Sequence, residues 1–270
     1  MLDFRAITAG TDRYNFHSHT QFCDGRDTME DFAAAAVAAG MEHYGFSPHS
    51  PVPFHTPCNM TKEQVGPFLD EVERIRRKYA GSGTRFYAAM EVDYLGDGWG
   101  PAHPYFKSLP LDYTIGSVHF LTAFTDPELM VDIDGRPERF AQYMHTYFKN
   151  DIRRVVESFY EASRNMLAAG GFDILGHLDK IGHNASHFAP GIERQEWYRE
   201  VLDDFVGRVI DSGVAVEINT KAMPTAGRTF PGREVVARLL RAGVTLVVNS
   251  DAHYAGLIDA GRTPVLRTIR

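Results

Sequence analysis

Two histidines stand two residues apart in the first apolar segment of the chain, which reads YNFHSHT over residues 14–20. Side chains of a β-strand alternate between its two faces, so His17 and His19 are expected on the same face. Asp251 and His253 repeat this spacing near the other end of the chain. Imidazole nitrogens and carboxylate oxygens are suitable ligands for a transition-metal ion. A single pair of this kind is a weak indication, because structural histidines also occur in protein cores.

Further ionisable residues lie in or close successive apolar segments. They are His49, Glu91, His119, His177, Glu217, Asp251 and His253, and Asn219 accompanies Glu217. As isolated core residues, each of these groups would carry its own desolvation cost. A metal cluster would neutralise the carboxylates and use the imidazole lone pairs. One cause therefore accounts for all of these positions, and the pattern predicts metal chemistry.

Seven apolar segments of strand length, rich in Val, Ile, Phe and Tyr, alternate with helical patterns. The main helical patterns cover residues 28–40, 61–81, 151–171, 194–213 and 232–243. Thr28 and Thr61 are the candidate N-caps of the first two. The alternation indicates a mainly parallel sheet, and seven strands favour a closed or nearly closed barrel. A β/α barrel builds its active site at the carboxyl ends of its strands, where the ionisable residues would converge.

Length and composition limit the classes of function. We expect residues 1–270 to form a single domain, because one α/β barrel commonly has this length. The chain has 28 Lys+Arg and 35 Asp+Glu, for a net charge of −7 at pH 7. This balance argues against a nucleic-acid partner but allows a small anionic substrate in a local positive pocket.

The chain also gives indications of its cellular setting. Cys23 and Cys58 are too few for a disulfide framework, which favours a reducing compartment. The first ten residues do not resemble a signal peptide, and the longest apolar run, residues 32–39, is too short to span a bilayer. We therefore expect a soluble, cytoplasmic protein with no membrane partner, while its oligomeric state stays open.

Taken in chain order, the motifs resemble those of the PHP (polymerase and histidinol phosphatase) family of metal-dependent phosphoesterases. The first motif, His-x-His-Thr followed by Asp-Gly, comprises His17, His19, Thr20, Asp24 and Gly25. The segments FSPHSP, MEVDYL, GSVHF, DILGHLD and NSDAH are similar to later motifs and contribute His49, Glu91, His119, His177, Asp251 and His253. The resemblance covers nearly the whole chain and implies an α/β fold, a distorted (β/α)7 TIM-like barrel of the PHP type.

The resemblance also implies a site for three divalent metal ions, which would be Zn, Mn or Fe. The first ion would be held by His17, His19, Glu91 and Asp251, the second by Glu91, His119 and His177, and the third by Asp24, His49 and His253. Glu91, Asp251 and His253 are the catalytic candidates within this set. Three such ions, three carboxylates and a bridging hydroxide would leave a net charge of about +2 to receive a phosphate dianion. The metal-bridging hydroxide would attack phosphorus in line, because coordination lowers the pKa of bound water to about 7.

Three basic residues are candidate contacts to the substrate phosphate. Arg228 could bind phosphate through two parallel hydrogen bonds, although a solvated loop arginine is the competing interpretation. In the histidinol-phosphate phosphatase branch of the family, which this chain resembles, a second basic residue usually follows the G-H-x-D element. This chain has Lys180 and His183 there and no arginine, so the second phosphate contact stays open. Asp93 and Asp179 either orient an imidazole ring or are solvated acids at strand ends.

The segments IGSVHFL, FDILGHLDKI and EINT followed by GRTFPG are most similar to the histidinol-phosphate phosphatase branch. That resemblance implies hydrolysis of L-histidinol phosphate to L-histidinol and phosphate in histidine biosynthesis. A PHP phosphoesterase that acts on another small phosphate ester or a short nucleotide is the first alternative. An amidohydrolase-type barrel is the second, and it would leave Asp24, His49 and His253 without a role. A non-catalytic metal-binding domain is the third, and the complete ligand set disfavours it.

Overall fold

The structure is a computed structural model that describes residues 2–269. The strands are β1 (Tyr14–Asn15), β2 (His43–Phe46), β3 (Arg85–Asp93), β4 (Tyr113–Ser117), β5 (Phe120–Thr122), β6 (Met130–Asp132), β7 (Ile174–Leu175), β8 (Ala215–Asn219) and β9 (Leu246–Asn249). The α-helices are α1 (Phe4–Gly10), α2 (Met29–Ala38), α3 (Val65–Lys78), α4 (Pro104–Lys107), α5 (Pro137–Thr146), α6 (Ile152–Ala169), α7 (Ile181–Phe188), α8 (Glu196–Ser212), α9 (Met223–Ala226), α10 (Arg233–Arg241) and α11 (Arg262–Ile269). Three short 3-10 helices cover Lys62–Gln64, Ile192–Arg194 and Ala255–Leu257.

Seven strands form one parallel sheet in the order β1-β2-β3-β4-β7-β8-β9. Beyond the ends of β9 and β1, a parallel bridge joins Ser18 to Ala252. The backbone N–H of His19 donates to the carbonyl of Ala252 at 2.9 Å in the same place. The sheet therefore curls into a nearly closed barrel, which confirms the α/β barrel expected from the sequence.

Strand β3 contributes side chains to two hydrophobic cores. Its alternate residues Tyr87 and Ala89 belong to one core, whereas Met90 and Val92 belong to the other, which also includes residues of α2 and α3. Glu91 follows the register of Tyr87 and Ala89, because side chains alternate along a strand. The alternation therefore sets the face of the sheet on which this buried carboxylate lies.

Aromatic rings from three strand regions meet in the first of these cores. The ring centroids of Phe16 and Tyr113 are 5.5 Å apart, and those of Phe16 and Tyr87 are 5.8 Å apart. The hydroxyl of Tyr113 donates to the carbonyl of Phe16 at 2.5 Å. Packed aromatic side chains bury a large apolar area and fix the relative positions of their strands. They hold the segment that leads into His17 against β3 and β4.

The helix starts agree with the caps expected from the sequence. Thr28 caps α2, and its side chain and that of Asp31 form a capping box. After Thr61 the chain first makes a 3-10 turn, and α3 then begins at Val65. Gly66 and Pro67 consequently lie in the first turn of α3, where proline is tolerated.

One segment differs from its expected form. One of the seven apolar segments of strand length is LDYTIGSVHFL, residues 111–121, but β4 ends at Ser117 and Phe120 begins β5. Strand β5 pairs with β6 in a separate antiparallel hairpin, with Phe120 opposite Asp132. His119 lies at the junction, between the barrel and this hairpin. Among residues 2–269, no helix has the length and hydropathy needed to cross a bilayer.

Candidate metal centre

The carboxyl ends of the strands and the loops that follow them bring nine ionisable side chains together at one end of the barrel. They are His17, His19, Asp24, His49, Glu91, His119, His177, Asp251 and His253. Parallel strands of a barrel all direct their carboxyl ends to the same rim. Residues separated by more than two hundred positions consequently become neighbours.

Glu91 lies at the centre of this group and is almost completely buried. Its Oε2 is 3.2 Å from Nε2 of His17 and 3.1 Å from Nδ1 of His49. Its Oε1 is 2.8 Å from Nε2 of His177 and 3.4 Å from Nε2 of His119. The two oxygens thus face different sets of imidazoles, as expected for a carboxylate that can bridge two cations.

Asp251 supplies a second buried carboxylate. Its Oδ1 is 3.1 Å from Nε2 of His19, and Nζ of Lys221 is 3.3 Å from the same oxygen. The backbone φ of Asp251 is 49°, in the left-handed region that residues other than glycine seldom adopt. Such strained conformations concentrate at functional sites, and this one holds the carboxylate toward the cluster.

Asp24 lies beside the imidazoles of His253 and His49. Its Oδ1 is 3.3 Å from Nε2 of His253 and 3.9 Å from Nε2 of His49. A Cβ atom at the next residue, Gly25, would lie only 2.3 Å from the carbonyl oxygen of His19. Glycine is therefore required where this loop packs against the histidine segment, which gives the Asp-Gly pair of the sequence a physical reason.

Several donor atoms of the cluster lie beside charged groups, at 3.1 to 3.3 Å, yet form no hydrogen bond with them. Nε2 of His17, Nε2 of His19 and Oδ1 of Asp24 are buried and make no hydrogen bond. Nε2 of His119 and Nε2 of His177 lie 3.2 Å apart and face each other. Buried polar atoms without partners are costly, and cations would satisfy them. These nitrogen and oxygen donors fit divalent ions such as Zn, Mn or Fe.

The donor atoms fall into compact sets, each with all its atoms within 4.8 Å of one another. Three of these sets are His17, His19 and Glu91; Glu91, His119 and His177; and His19, Asp24, His49 and His253. The sets share Glu91 and His19, so they form one continuous centre and not separate sites. The side chains could therefore hold divalent metal ions in neighbouring positions.

Two buried acids contact the outer nitrogens of the candidate ligands. Oε1 of Glu217 is 2.6 Å from Nδ1 of His17, and Oδ1 of Asp93 is 2.7 Å from Nδ1 of His119. Such contacts orient an imidazole ring and direct its other nitrogen toward a metal ion. From the sequence, Asp93 was a candidate for this role and Glu217 was not. The available signal for Glu217 was a charged residue within an otherwise apolar strand.

Proximity shifts the pKa values of these groups in opposite directions. Burial lowers the pKa of His17, but Glu217 and other carboxylates outweigh burial and raise it well above its ordinary value. The pKa of His119 rises to about 9 for the same kind of reason. Burial and neighbouring imidazoles hold the pKa of His19 well below its ordinary value. Burial raises the pKa of Glu91, but the surrounding imidazoles outweigh it and hold that pKa well below its usual range.

A cavity of about 790 Å³ opens over the cluster and is lined by Glu91, His119, Asp251 and both Lys180 and Lys221. Nζ of Lys180 is 2.6 Å from Oδ2 of Asp134 and 3.9 Å from Oδ2 of Asp251. Nζ of Lys221 lies 3.3 Å from Oδ1 of Asp251. The cavity therefore has two ammonium groups beside its floor. Lys221 was not among the candidates from the sequence, although it directly follows the EINT segment.

Arg228 and His183 do not line this cavity. The guanidinium of Arg228 donates to both carboxylate oxygens of Glu193, at 2.9 and 2.6 Å. The ring of His183 packs edge-on against a neighbouring aromatic ring. Asp179, which was considered as a partner for an imidazole, accepts a hydrogen bond from the backbone N–H of Gly232 at 2.8 Å. A contact of Arg228 or His183 with substrate stays a prediction.

A family model described as the PHP domain matches residues 15–221 of the chain. The chain belongs to the PHP domain family. Seven of the nine candidate ligands lie within the matched residues, and Asp251 and His253 follow them.

Relatives and solved structures match most of this chain. The protein named "Probable histidinol-phosphatase" from Deinococcus radiodurans is 26% identical over 265 residues, covering 94% of this chain and 91% of that protein. The crystal structure of hisK from Listeria monocytogenes superposes with a TM-score of 0.80 at 20% identity, covering 93% of this chain and 99% of that one. Histidinol phosphate phosphatase (HISK) from Lactococcus lactis subsp. lactis Il1403, complexed with Zn, L-histidinol and phosphate, gives a TM-score of 0.67 at 16% identity and covers 96% and 94%.

Proposed function

We propose that this PHP domain protein is a phosphoric monoester hydrolase that converts L-histidinol phosphate to L-histidinol and phosphate. The observation that carries the proposal is the convergence of imidazoles and carboxylates in one centre, beneath an open cavity. The name of the Deinococcus relative supports this substrate, and so do the L-histidinol and phosphate in the Lactococcus structure. The product alcohol would feed histidine biosynthesis.

We infer that the centre holds three divalent metal ions, of which zinc has support from the Lactococcus complex. The ligand sets would be those implied by the family motifs, with Glu91 shared between two ions. When bound, such ions neutralise charge on the phosphate oxygens and supply a water-derived nucleophile at neutral pH. Glu91, Asp251 and His253 would be the residues on which catalysis depends most directly.

The side chains of the protein would bind and orient the substrate. Lys180 and Lys221 place two positive charges beside the floor of the cavity, where they would attract the phosphate dianion. Arg228 and His183 remain proposed as further phosphate contacts, which would require Arg228 to exchange Glu193 for the substrate. Asp93 would hold its imidazole so that the inward nitrogen keeps its lone pair.

We further propose that residues 1–270 work as one PHP domain on a small-molecule phosphate ester in the cytoplasm, without a nucleic-acid or membrane partner. The net charge of −7 supports this choice, because extended nucleic-acid backbones require basic surfaces.

The test is phosphate release from L-histidinol phosphate by protein loaded with Zn, Mn or Fe. A panel of other phosphate monoesters and one phosphodiester measures selectivity. We expect L-histidinol phosphate to give the highest kcat/KM and a chelator to abolish turnover. Glu91→Gln should lower kcat at least a thousandfold and reduce the amount of bound metal. The substitution removes the negative charge of the carboxylate that lies between the two sets of imidazoles. Glu157→Gln, at a half-exposed position of α6, is the matched control.

Two outcomes would overturn the proposal. One is full turnover and metal content in Glu91→Gln. The other is an absence of phosphate release from L-histidinol phosphate while another ester in the panel is hydrolysed.

A further inference from the structure

The hairpin β5–β6 forms one wall of the cavity immediately beside the metal centre. The backbone N–H of Ile133 donates to the carbonyl of His119 at 2.9 Å, which ties the end of the hairpin to a candidate ligand. Asp132 pairs with Phe120, the residue that follows His119. Directly paired residues of antiparallel strands have Cα atoms roughly 5 Å apart. Asp132 therefore lies within a short distance of the place where the phosphate would bind.

Most of the carboxylates that line the cavity already have an assigned partner. The five acids are Asp24, Glu91, Asp132, Asp134 and Asp251. Asp24, Glu91 and Asp251 belong to the metal centre, and Asp134 pairs with Lys180 at 2.6 Å. Asp132 remains. Within residues 2–269, no lysine, arginine or histidine forms an ion pair with its carboxylate, which accepts a hydrogen bond from the backbone N–H of Asp134 at 2.8 Å.

The surroundings of Asp132 favour a cation. Burial and the charge of Asp134 raise the pKa of Asp132 above its ordinary value, and the positive charges of His119 and Arg139 offset this only in part. Arg136 and Arg139 line the same cavity, but in the described part of the chain neither guanidinium forms an ion pair with Asp132. A bound ammonium group would therefore relieve an electrostatic cost that the protein itself leaves in place.

Aromatic side chains extend this wall away from the metal centre. The rings of Phe54 and Phe120 meet edge to face, with centroids 5.3 Å apart. Tyr143 of α5 and Tyr147, which follows that helix, also line the cavity, and their rings are 5.4 Å apart. Planar apolar surfaces of this kind suit a planar heterocycle. The wall thus presents one unpaired carboxylate next to the phosphate position and aromatic surface beyond it.

We propose that Asp132 binds the protonated amine of the substrate and that the aromatic wall packs against its ring. The preferred substrate class is a phosphate monoester of an amino alcohol whose ammonium lies on the carbon next to the ester carbon. L-Histidinol phosphate has this arrangement, so the inference rests on the proposed function and adds a specificity-determining residue to it.

The experiment compares wild type and Asp132→Asn on L-histidinol phosphate and on its desamino analogue, imidazolylpropyl phosphate. Loss of a charge-assisted hydrogen bond should lower kcat/KM for L-histidinol phosphate by about 10- to 100-fold, mainly through KM. The desamino analogue should be hydrolysed equally by both proteins. Binding of the product L-histidinol, measured by titration calorimetry, should weaken by a similar factor while metal content stays unchanged. Glu128→Gln, in the exposed turn of the same hairpin, is the matched control.

An equal loss on both esters, or no loss on either, would overturn the role of Asp132. If the wild type does not hydrolyse L-histidinol phosphate, the proposed function fails, and 2-aminoethyl phosphate and ethyl phosphate replace the first pair of esters. The inference then stands if the wild type prefers the amino ester and Asp132→Asn loses that preference. It falls if the wild type shows no such preference or the variant keeps it.

Discussion

His119 presents one ring nitrogen to the cluster and the other to a carboxylate. Its Nδ1 is 2.7 Å from Oδ1 of Asp93, and its Nε2 is 3.4 Å from Oε1 of Glu91. Asn59 donates to the second oxygen of Asp93 at 2.8 Å and fixes the carboxylate in turn. In a neutral imidazole, an Nδ1–H bonded to Asp93 leaves the lone pair on Nε2. Asp93 therefore determines whether His119 can serve as a ligand.

Replacement of Asp93 by asparagine should weaken metal binding without changing the shape of the centre. In Asp93→Asn, the amide cannot accept the Nδ1–H as strongly, so the inward nitrogen of His119 loses its preferred tautomer. We expect metal affinity to fall about 10- to 100-fold, as measured by competition with a chromophoric chelator. Asp97→Asn, which alters an exposed acid in the same loop region, should leave metal affinity unchanged. An unaltered affinity in Asp93→Asn would contradict the orienting role.

The sequence alone could indicate which residues converge but not how they pair. His17, Glu91 and Asp251 each lie in or after an apolar segment, and barrel geometry sends such positions to one rim. The contact of Glu217 with His17 joins residues two hundred positions apart and depends on the face that β8 presents. No local pattern encodes that face when every residue of the strand is buried.

At the scale of elements, side chains close the seam between β9 and β1 where backbone pairing is sparse. The N–H of Phe16 donates to the side chain of Asn249 at 2.9 Å, and the N–H of Ser250 donates to Asn15 at 3.0 Å. These amides replace ladder hydrogen bonds that the short strand β1 cannot make. Two candidate metal ligands also lie at this seam, because His17 follows β1 and Asp251 follows β9.

Arg262 of α11 stabilises this seam by hydrogen bonds to the backbone on both of its sides. Its buried guanidinium donates to the carbonyl of Val248 at 3.0 Å and to that of Asp12 at 3.2 Å, and it contacts Asp259 at 2.5 Å. Arg262→Lys leaves at least one buried carbonyl unsatisfied, so the free energy of unfolding should fall by about 2–4 kcal/mol in urea titrations. Arg267→Lys on the exposed side of the same helix should change it by less than ~0.5 kcal/mol. Equal stabilities of the two variants would show that the seam does not depend on Arg262.

The elements were predictable where periodicity is regular and unpredictable where the chain changes direction. Alternating strands and helices indicated the barrel, and the Thr28 cap located the start of α2. The apolar run through His119 gave no sign that β4 ends at Ser117. That break depends on the pairing of Phe120 with Asp132, which only the folded hairpin provides.

For the molecule as a whole, the buried centre links metal binding, protonation and stability. Burial lowers the pKa of His119, but Glu91 and Asp93 outweigh it and raise that pKa to about 9. A proton on this imidazole consequently offsets part of the carboxylate charge when metal ions are removed. Metal binding must displace that proton, because only the neutral imidazole has a lone pair to donate.

The sign of the resulting pH dependence follows from the raised pKa of His119. In metal-free protein, the stability that this proton contributes is complete below pH 6.5 and is lost as pH rises through about 9. In metal-loaded protein the cations replace this proton and neutralise the carboxylates themselves, so its contribution is absent. The difference in Tm between loaded and chelated protein should therefore widen from pH 6.5 to pH 8.5, as followed by calorimetry at fixed free metal. A free metal concentration about 100-fold above the Kd of a site should stabilise the protein by roughly 2.7 kcal/mol for that site. His145→Asn, on the exposed face of α5, should keep this widening, whereas His119→Asn should reduce it. A constant or narrowing difference in the wild type would show that protons and metal ions do not compete at this centre.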